Sequence, residues 1–235
     1  ADSDGDGELI GEDGGEGWAD AWAGDASVTG IVDAGLAYDT GGGIVEASSV
    51  LEVTGNNDAA VTRILAEPIE EEFYLSFLVS LAEGQIGDND FVVWWFDSTN
   101  FLNLGIKTQE GGPPGTRDFM LRNGPSAAGI TTLYSDTQLE VGETYFIAIR
   151  VTKSDPAGNF DGCELWVNPA FDGRDNPEII LDEDLKLASI SMIGMRSANV
   201  DPDDRFQLGA FRIGTEWEDV VPSDTTCPGG LAAAR

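Results

Sequence analysis

Residues 145–152 alternate without a break: Tyr145, Ile147, Ile149 and Val151 fall on one side of an extended chain, Phe146, Ala148, Arg150 and Thr152 on the other. That pattern belongs to a strand, where successive side chains point to opposite faces. Comparable β-branched and aromatic runs occur at 44–53, 73–81, 91–96, 102–108, 119–122, 163–167, 187–195 and 206–213, separated by Gly, Asp, Asn and Pro. No segment offers a convincing capped helix. Many spaced strands without helices predict an all-β fold, a sandwich or a barrel. At 235 residues the chain is long enough for one large domain of this kind with a substantial core.

Charge narrows what such a domain can meet. Forty-three acidic residues stand against twelve basic ones, a net charge of −31, and histidine is absent. A surface this acidic repels nucleic acid and anionic membranes, so neither is expected as a partner. Hydrophobic residues still make up 41% of the chain, enough for a folded core rather than an acidic disordered tail. No run approaches the ~18–20 apolar residues of a membrane span. Without histidine, Ser–His–Asp and Cys–His chemistry cannot be assembled, and a zinc site is nearly excluded.

Residues 1–24 form an acidic, glycine-rich arm that belongs to the sandwich of residues 25–222, and 223–235 read as a linker or the start of another module. The chain opens at Ala1 rather than methionine, as a processed protein or a piece of a longer one would. Of the two cysteines, Cys163 and Cys227 can pair with each other or with a partner beyond this chain.

The arm holds the sharpest local motif. Asp2, Asp4 and Asp6 precede Gly7 and Glu8, with Leu9 at the eighth loop position and Asp13 at the twelfth. This is calcium-loop spacing: the glycine permits the turn that converges carboxylates on an ion wanting six to eight oxygens. Asp13 is shorter than the usual glutamate and no helices flank the loop, so a solvated acidic terminus is the competing reading.

The segment FQLGAFRIGTEWEDVVP, residues 206–222, resembles the closing strand of LamG-like, concanavalin A-like jelly-roll domains of secreted bacterial surface proteins. GGEGWADAW (14–22), FYLSFLV (73–79) and ELWVNP (164–169) are similar, in order, to further motifs of that family. The resemblance covers nearly all of residues 1–222 and implies two antiparallel sheets packed face to face, in an extracellular or cell-surface setting. It departs at Gly209, where the family commonly has an aspartate, so a metal ligand there does not carry over. In lectin-like relatives sandwich-edge loops often hold calcium, which makes Asp201, Asp203 and Asp204 further candidate ligands.

Matching to the family also implies that Trp95 points inward and Trp94 outward. Glu164 and Trp166 lie opposite Cys163, Leu165 and Val167, and Lys107, Arg122 and Arg150 lie opposite their strands' apolar sets. Were these strands in one sheet, its outer face would carry Trp94, Lys107, Arg122, Arg150 and Trp166. Indole faces stack on sugar rings and guanidinium forks bind carboxylates or sulfates, so this set suits a polysaccharide or a glycoprotein surface. The alternative is that the segment 109–118 covers the tryptophans, which then merely pack. Trp18 and Trp22 read as clamps that dock the arm.

Catalysis finds little support. A retaining glycosidase on this fold needs two carboxylates ~5–5.5 Å apart, as in E-x-D-x-x-E, and no such motif occurs. The expectation is a non-catalytic recognition or adhesion module, carbohydrate-binding and calcium-stabilised. A structural envelope or filament subunit is the alternative, and a polysaccharide-degrading enzyme a more distant one.

Overall fold

The computed structural model describes residues 7–57, 59–85, 87, 89–108, 118–125 and 130–223. In chain order the first strands are β1 (Ala23–Gly24), β2 (Thr29–Val32), β3 (Leu36–Asp39), β4 (Ile44–Ala47), β5 (Val50–Val53) and β6 (Val61–Ile69). The middle supplies β7 (Phe73–Glu83), β8 (Phe91–Phe96), β9 (Leu102–Lys107), β10 (Phe119–Asn123) and β11 (Thr132–Tyr134). The remainder adds β12 (Thr144–Thr152), β13 (Gly162–Val167), β14 (Ile179–Leu181), β15 (Ile190–Ala198) and β16 (Arg205–Gly214). A one-turn helix, α1 (Trp217–Val220), follows.

Two seven-stranded antiparallel sheets face each other. The front sheet runs β1-β6-β15-β8-β9-β10-β11 and the back sheet β14-β13-β12-β7-β16-β5-β2, while β3 and β4 form a separate hairpin. Between the sheets, alternate residues of each strand meet. Phe73, Leu75, Phe77, Val79 and Leu81 of β7 and Ile147, Ile149 and Val151 of β12 face Val92, Trp94 and Phe96 of β8 and Leu104 and Ile106 of β9. Each such fully buried aliphatic or aromatic side chain contributes about 1.5–3 kcal/mol.

The back sheet is apolar on its other face too. Tyr74, Leu78, Phe146, Ala148 and Trp166 point away from the main core and are covered by the hairpin residues Leu36 and Val45 and by Trp217 and Val220 of α1. This is why 217–220 leaves the strand path. Asp219 accepts hydrogen bonds from the amides of Thr215 and Glu216, both at 3.0 Å, which turns the chain and drops Trp217 onto Trp166 at 5.1 Å. Gly209, the departure from the family pattern, lies under this cap. A Cβ there would stand 2.7 Å from that of Ala47.

The arm docks as a clamp on the front sheet. Ala23 and Gly24 pair with β6, and the backbone of Gly17 and Ala19 bonds that of Ala66 and Ile64. Arg63, on the core side of β6, lies beneath Trp18 at 4.8 Å and Trp22 at 5.8 Å, and donates to the carbonyls of Gly14 and Asp20. Strand β6 went unforeseen: Arg63, Glu67 and Pro68 interrupt the apolar alternation that marks a strand.

Candidate functional site

On the outer face of the front sheet, register sets the players. Phe91 opposes Lys107 on β9 and Ala198 on β15; Val93 opposes Gly105 and Arg196; Trp95 opposes Asn103 and Gly194. Asn103 in turn opposes Arg122 of β10. Phe91, Val93 and Met120 make a small apolar floor on this face, with Ala198 and Tyr134 against it. Lys107, Arg122 and Arg196 therefore rise from one surface. With strands ~4.8 Å apart, the three span about 14 Å from β15 to β10.

These cations border a cleft of about 250 Å³ that Phe91, Asn89, Asn199 and Thr99 also line, with no Asp or Glu among the described residues of its wall. Arg122 is buried, donates through Nε to the Gly124 carbonyl at 3.0 Å, and lies over the Phe91 ring at 4.9 Å. Lys107 donates to Asn89 Oδ1 at 2.8 Å. Arg196 is exposed and makes no hydrogen bond among the described residues. No described carboxylate lies within ion-pair distance of any of the three. Burial, and then the neighbouring Arg122 charge, lowers the Lys107 pKa below the ordinary lysine value. Burial lowers that of Arg122 as well; Tyr134 opposes the shift and Arg196 adds to it.

Trp95 Nε1 and Asn103 Oδ1, adjacent in register on this face, are buried and have no hydrogen-bond partner in the structure. Such atoms are uncommon in folded proteins, because each costs about 1–3 kcal/mol.

The expected five-residue face divides between two surfaces. Lys107 and Arg122 lie on the front sheet, whereas Arg150 and Trp166 lie on the outer side of the back sheet. Trp166 is buried beneath Trp217, and Arg150 is held by both carboxylate oxygens of Glu72 at 3.0 Å and by Glu164 at 3.4 Å. The tryptophan assignment is reversed. Trp94 sits in the main core, 4.8 Å from Phe211 and 6.3 Å from Phe77, and Trp95 faces outward. Strand parity has only two answers, and a shift of one position exchanges every side chain between faces. Of the segment 109–118, expected to cover the tryptophans, residues 109–117 lie outside the described residues.

Arg196, Phe91 and Trp95 were missed as site members. The signal was available for Arg196, which alternates with Gly194 and Ala198 opposite Ile193 and Met195. An arginine between two small residues marks an open strand face.

Among the metal candidates, Asp2, Asp4 and Asp6 lie outside the described residues. Glu8 and Asp13 are exposed, and Leu9 between them is buried in the core. Asp204 is buried and accepts from the amides of Gln85 at 3.0 Å and Asp201 at 3.1 Å, while Asp201 and Asp203 are exposed. Among the described residues no group of three acids or cysteines is placed to hold a metal ion.

Solved structures with the same architecture place the fold. An endo-β-1,4-glucuronan lyase from the fungus Trichoderma reesei superposes with a TM-score of 0.50 at 11% identity, over 82% of this chain and 92% of that one. The HCR/D protein, as a point mutant, gives 0.50 at 14% identity, over 82% of this chain and 44% of the other. A botulinum neurotoxin type C structure, from work on its interaction with two ganglioside molecules, gives 0.46 at 9% identity, over 73% and 41%. The fold is a jelly-roll β-sandwich. This chain spans less than half the length of the last two proteins. No family model matches the sequence, and no curated protein does.

Proposed function

We propose that this domain is a non-catalytic carbohydrate-recognition module of an extracellular or cell-surface protein, LamG-like in kind, which binds glycan on the outer face of its front sheet. One observation carries the reading: Lys107, Arg122 and Arg196 stand on an apolar floor in a cleft with no carboxylate among its described lining residues, in a chain whose net charge is −31. Arg150, on the other sheet, is by contrast neutralised by Glu72 and Glu164. A group of three without a described carboxylate partner is suited to holding something else. The glucuronan lyase is named for a saccharide substrate, so a jelly roll of this size has room for one. Among its described lining residues the cleft has no pair of carboxylates to act as acid and base, which favours binding over glycoside hydrolysis. Calcium at the amino-terminal loop is part of the proposal, with Asp2, Asp4, Asp6, Glu8 and Asp13 as its ligands.

A glycan array with the wild-type chain and the Phe91→Ala variant, with and without EDTA, tests the reading. Binding to at least one saccharide, weakened in the variant, is expected. A blank array under both conditions overturns it, and growth of particle size on adding calcium would favour an envelope subunit instead. Release of an unsaturated sugar during the assay would overturn the non-catalytic part.

A further inference from the structure

We propose that the ligand of this face is an anionic saccharide, one whose sugar unit carries a carboxylate or a sulfate ester that Arg122, Lys107 and Arg196 hold together. The inference rests on the glycan reading above and specifies its substrate class.

The arrangement divides the work among the three side chains. Arg122 is fixed before any ligand arrives: Nε is tied to Gly124 and its plane lies over Phe91, which leaves the two Nη groups without a hydrogen-bond partner among the described residues. A guanidinium offering two parallel donors matches the paired oxygens of a carboxylate or sulfate. Lys107, steered by Asn89, adds a compact charge from the adjacent strand. Arg196 is the exposed arm at the opposite side of the cleft, unattached to any described group, and can fold over an occupant.

A neutral sugar would not need this arrangement. Three like charges on one face repel each other, and burial of two of them penalises their charged forms, as the lowered proton affinities of Lys107 and Arg122 record. A ligand with acid oxygens relieves both effects, whereas hydroxyl groups relieve neither. The cleft, at about 250 Å³, is smaller than the ~300–1,000 Å³ of drug-sized pockets, so it receives a single sugar unit with its acid group rather than a long stretch of polymer. Phe91 beneath Arg122 holds that guanidinium in place at the edge of the cleft.

Calorimetry on the full chain with three versions of one oligosaccharide tests this. They are a β-1,4-linked glucuronic acid oligomer, the same oligomer with its carboxyl groups reduced to hydroxymethyl, and the reduced oligomer carrying sulfate esters. At least one acidic version is expected to bind about 10-fold or more tightly than the neutral one. That preference should shrink as salt is raised from about 50 to about 500 mM. The acidic arm that binds identifies carboxylate or sulfate as the recognised group. Arg196→Met, at an exposed side chain that folding does not need, should lower affinity for it about 10–100-fold. Arg174→Met, which removes the same charge from the opposite side of the sandwich, should leave it unchanged. Equal binding of the neutral and acidic oligomers, lost in Phe91→Ala, would overturn the acid-group assignment and leave glycan recognition standing. No binding by any of the three, with a blank array, would remove both.

Discussion

The indole of Trp95 lies across Gly194 on the neighbouring strand, so tightly that a Cβ at Gly194 would overlap its six-membered ring. That contact holds a large aromatic flat beside the cationic face rather than in the core. Gly194→Val forces the ring off its seat, and overpacking of this kind costs about 1–3 kcal/mol. The expected outcome is a lower urea midpoint together with weaker glycan binding. An unchanged midpoint would show that the ring does not rest there.

The two tryptophans of β8 separate by role. Trp94→Ala empties core space against Phe77, Phe211 and Trp22 and should lose about 3–5 kcal/mol. Trp95→Ala should act mainly on the outer face, with the smaller stability loss and the larger change in saccharide affinity. Equilibrium unfolding and calorimetry on both variants check this ordering, and a reversed ordering would contradict the register.

Arg63 couples the amino-terminal arm to the body. Its guanidinium donates to two arm carbonyls and lies beneath both arm tryptophans. Arg63→Met retains much of the apolar stem but removes these interactions, and should cost about 2–4 kcal/mol. Limited proteolysis should then cut first within the arm, before the sandwich opens. Cleavage elsewhere at the same rate would separate arm docking from Arg63.

Alkaline pH should destabilise the fold through its buried phenols. Burial raises the phenol pKa of Tyr74, Tyr145 and Tyr38 above the ordinary 10.0; the Arg150 and Arg174 charges pull back at Tyr74, and Asp39 adds to the shift at Tyr38. Between the unfolded and the raised folded values the native state binds more protons than the unfolded chain, so stability falls as pH rises. These groups contribute fully below pH 10.0 and lose that contribution as pH climbs through their folded values. Urea midpoints measured from about pH 9 to about pH 11 should drop. The tyrosinate absorbance of these three phenols should appear only above the ordinary range, and a flat midpoint profile would refute the assignment.

Calcium should raise the melting temperature and EDTA should lower it, with both effects lost in an Asp4→Ala, Asp6→Ala variant. Leu9, buried in the main core, is the link by which an ordered loop would stabilise the body. An isotherm unchanged by the double substitution would remove the ion from the proposal.

Much of the sandwich was legible because its strands obey a period of two. The alternations at 73–81, 102–108 and 144–152 place apolar residues on the inner face, as observed. Where both faces of a strand are apolar, the period loses its meaning. FVVWWF in β8 is buried at every position, so neither parity stands out in the letters. β7 is also covered on its outer face, where Tyr74 and Leu78 lie under the hairpin and α1, but Ser76 and Ser80 on that side keep its parity readable.

The site was half legible for a different reason. Lys107 and Arg122 were recognisable as polar residues opposite apolar sets, but which strands share a sheet depends on pairings between distant parts of the chain. Those pairings put β12 and β13 behind the core and brought β15 alongside β8, replacing Arg150 and Trp166 with Arg196 and Phe91. Local order along the chain therefore set the fold class, the strand spacing and the acidic surface, since these depend on neighbouring residues and net charge. Which cations meet, and over which ring, followed from non-local strand pairing and from the absence of a side chain at Gly194, neither of which a one-dimensional pattern encodes.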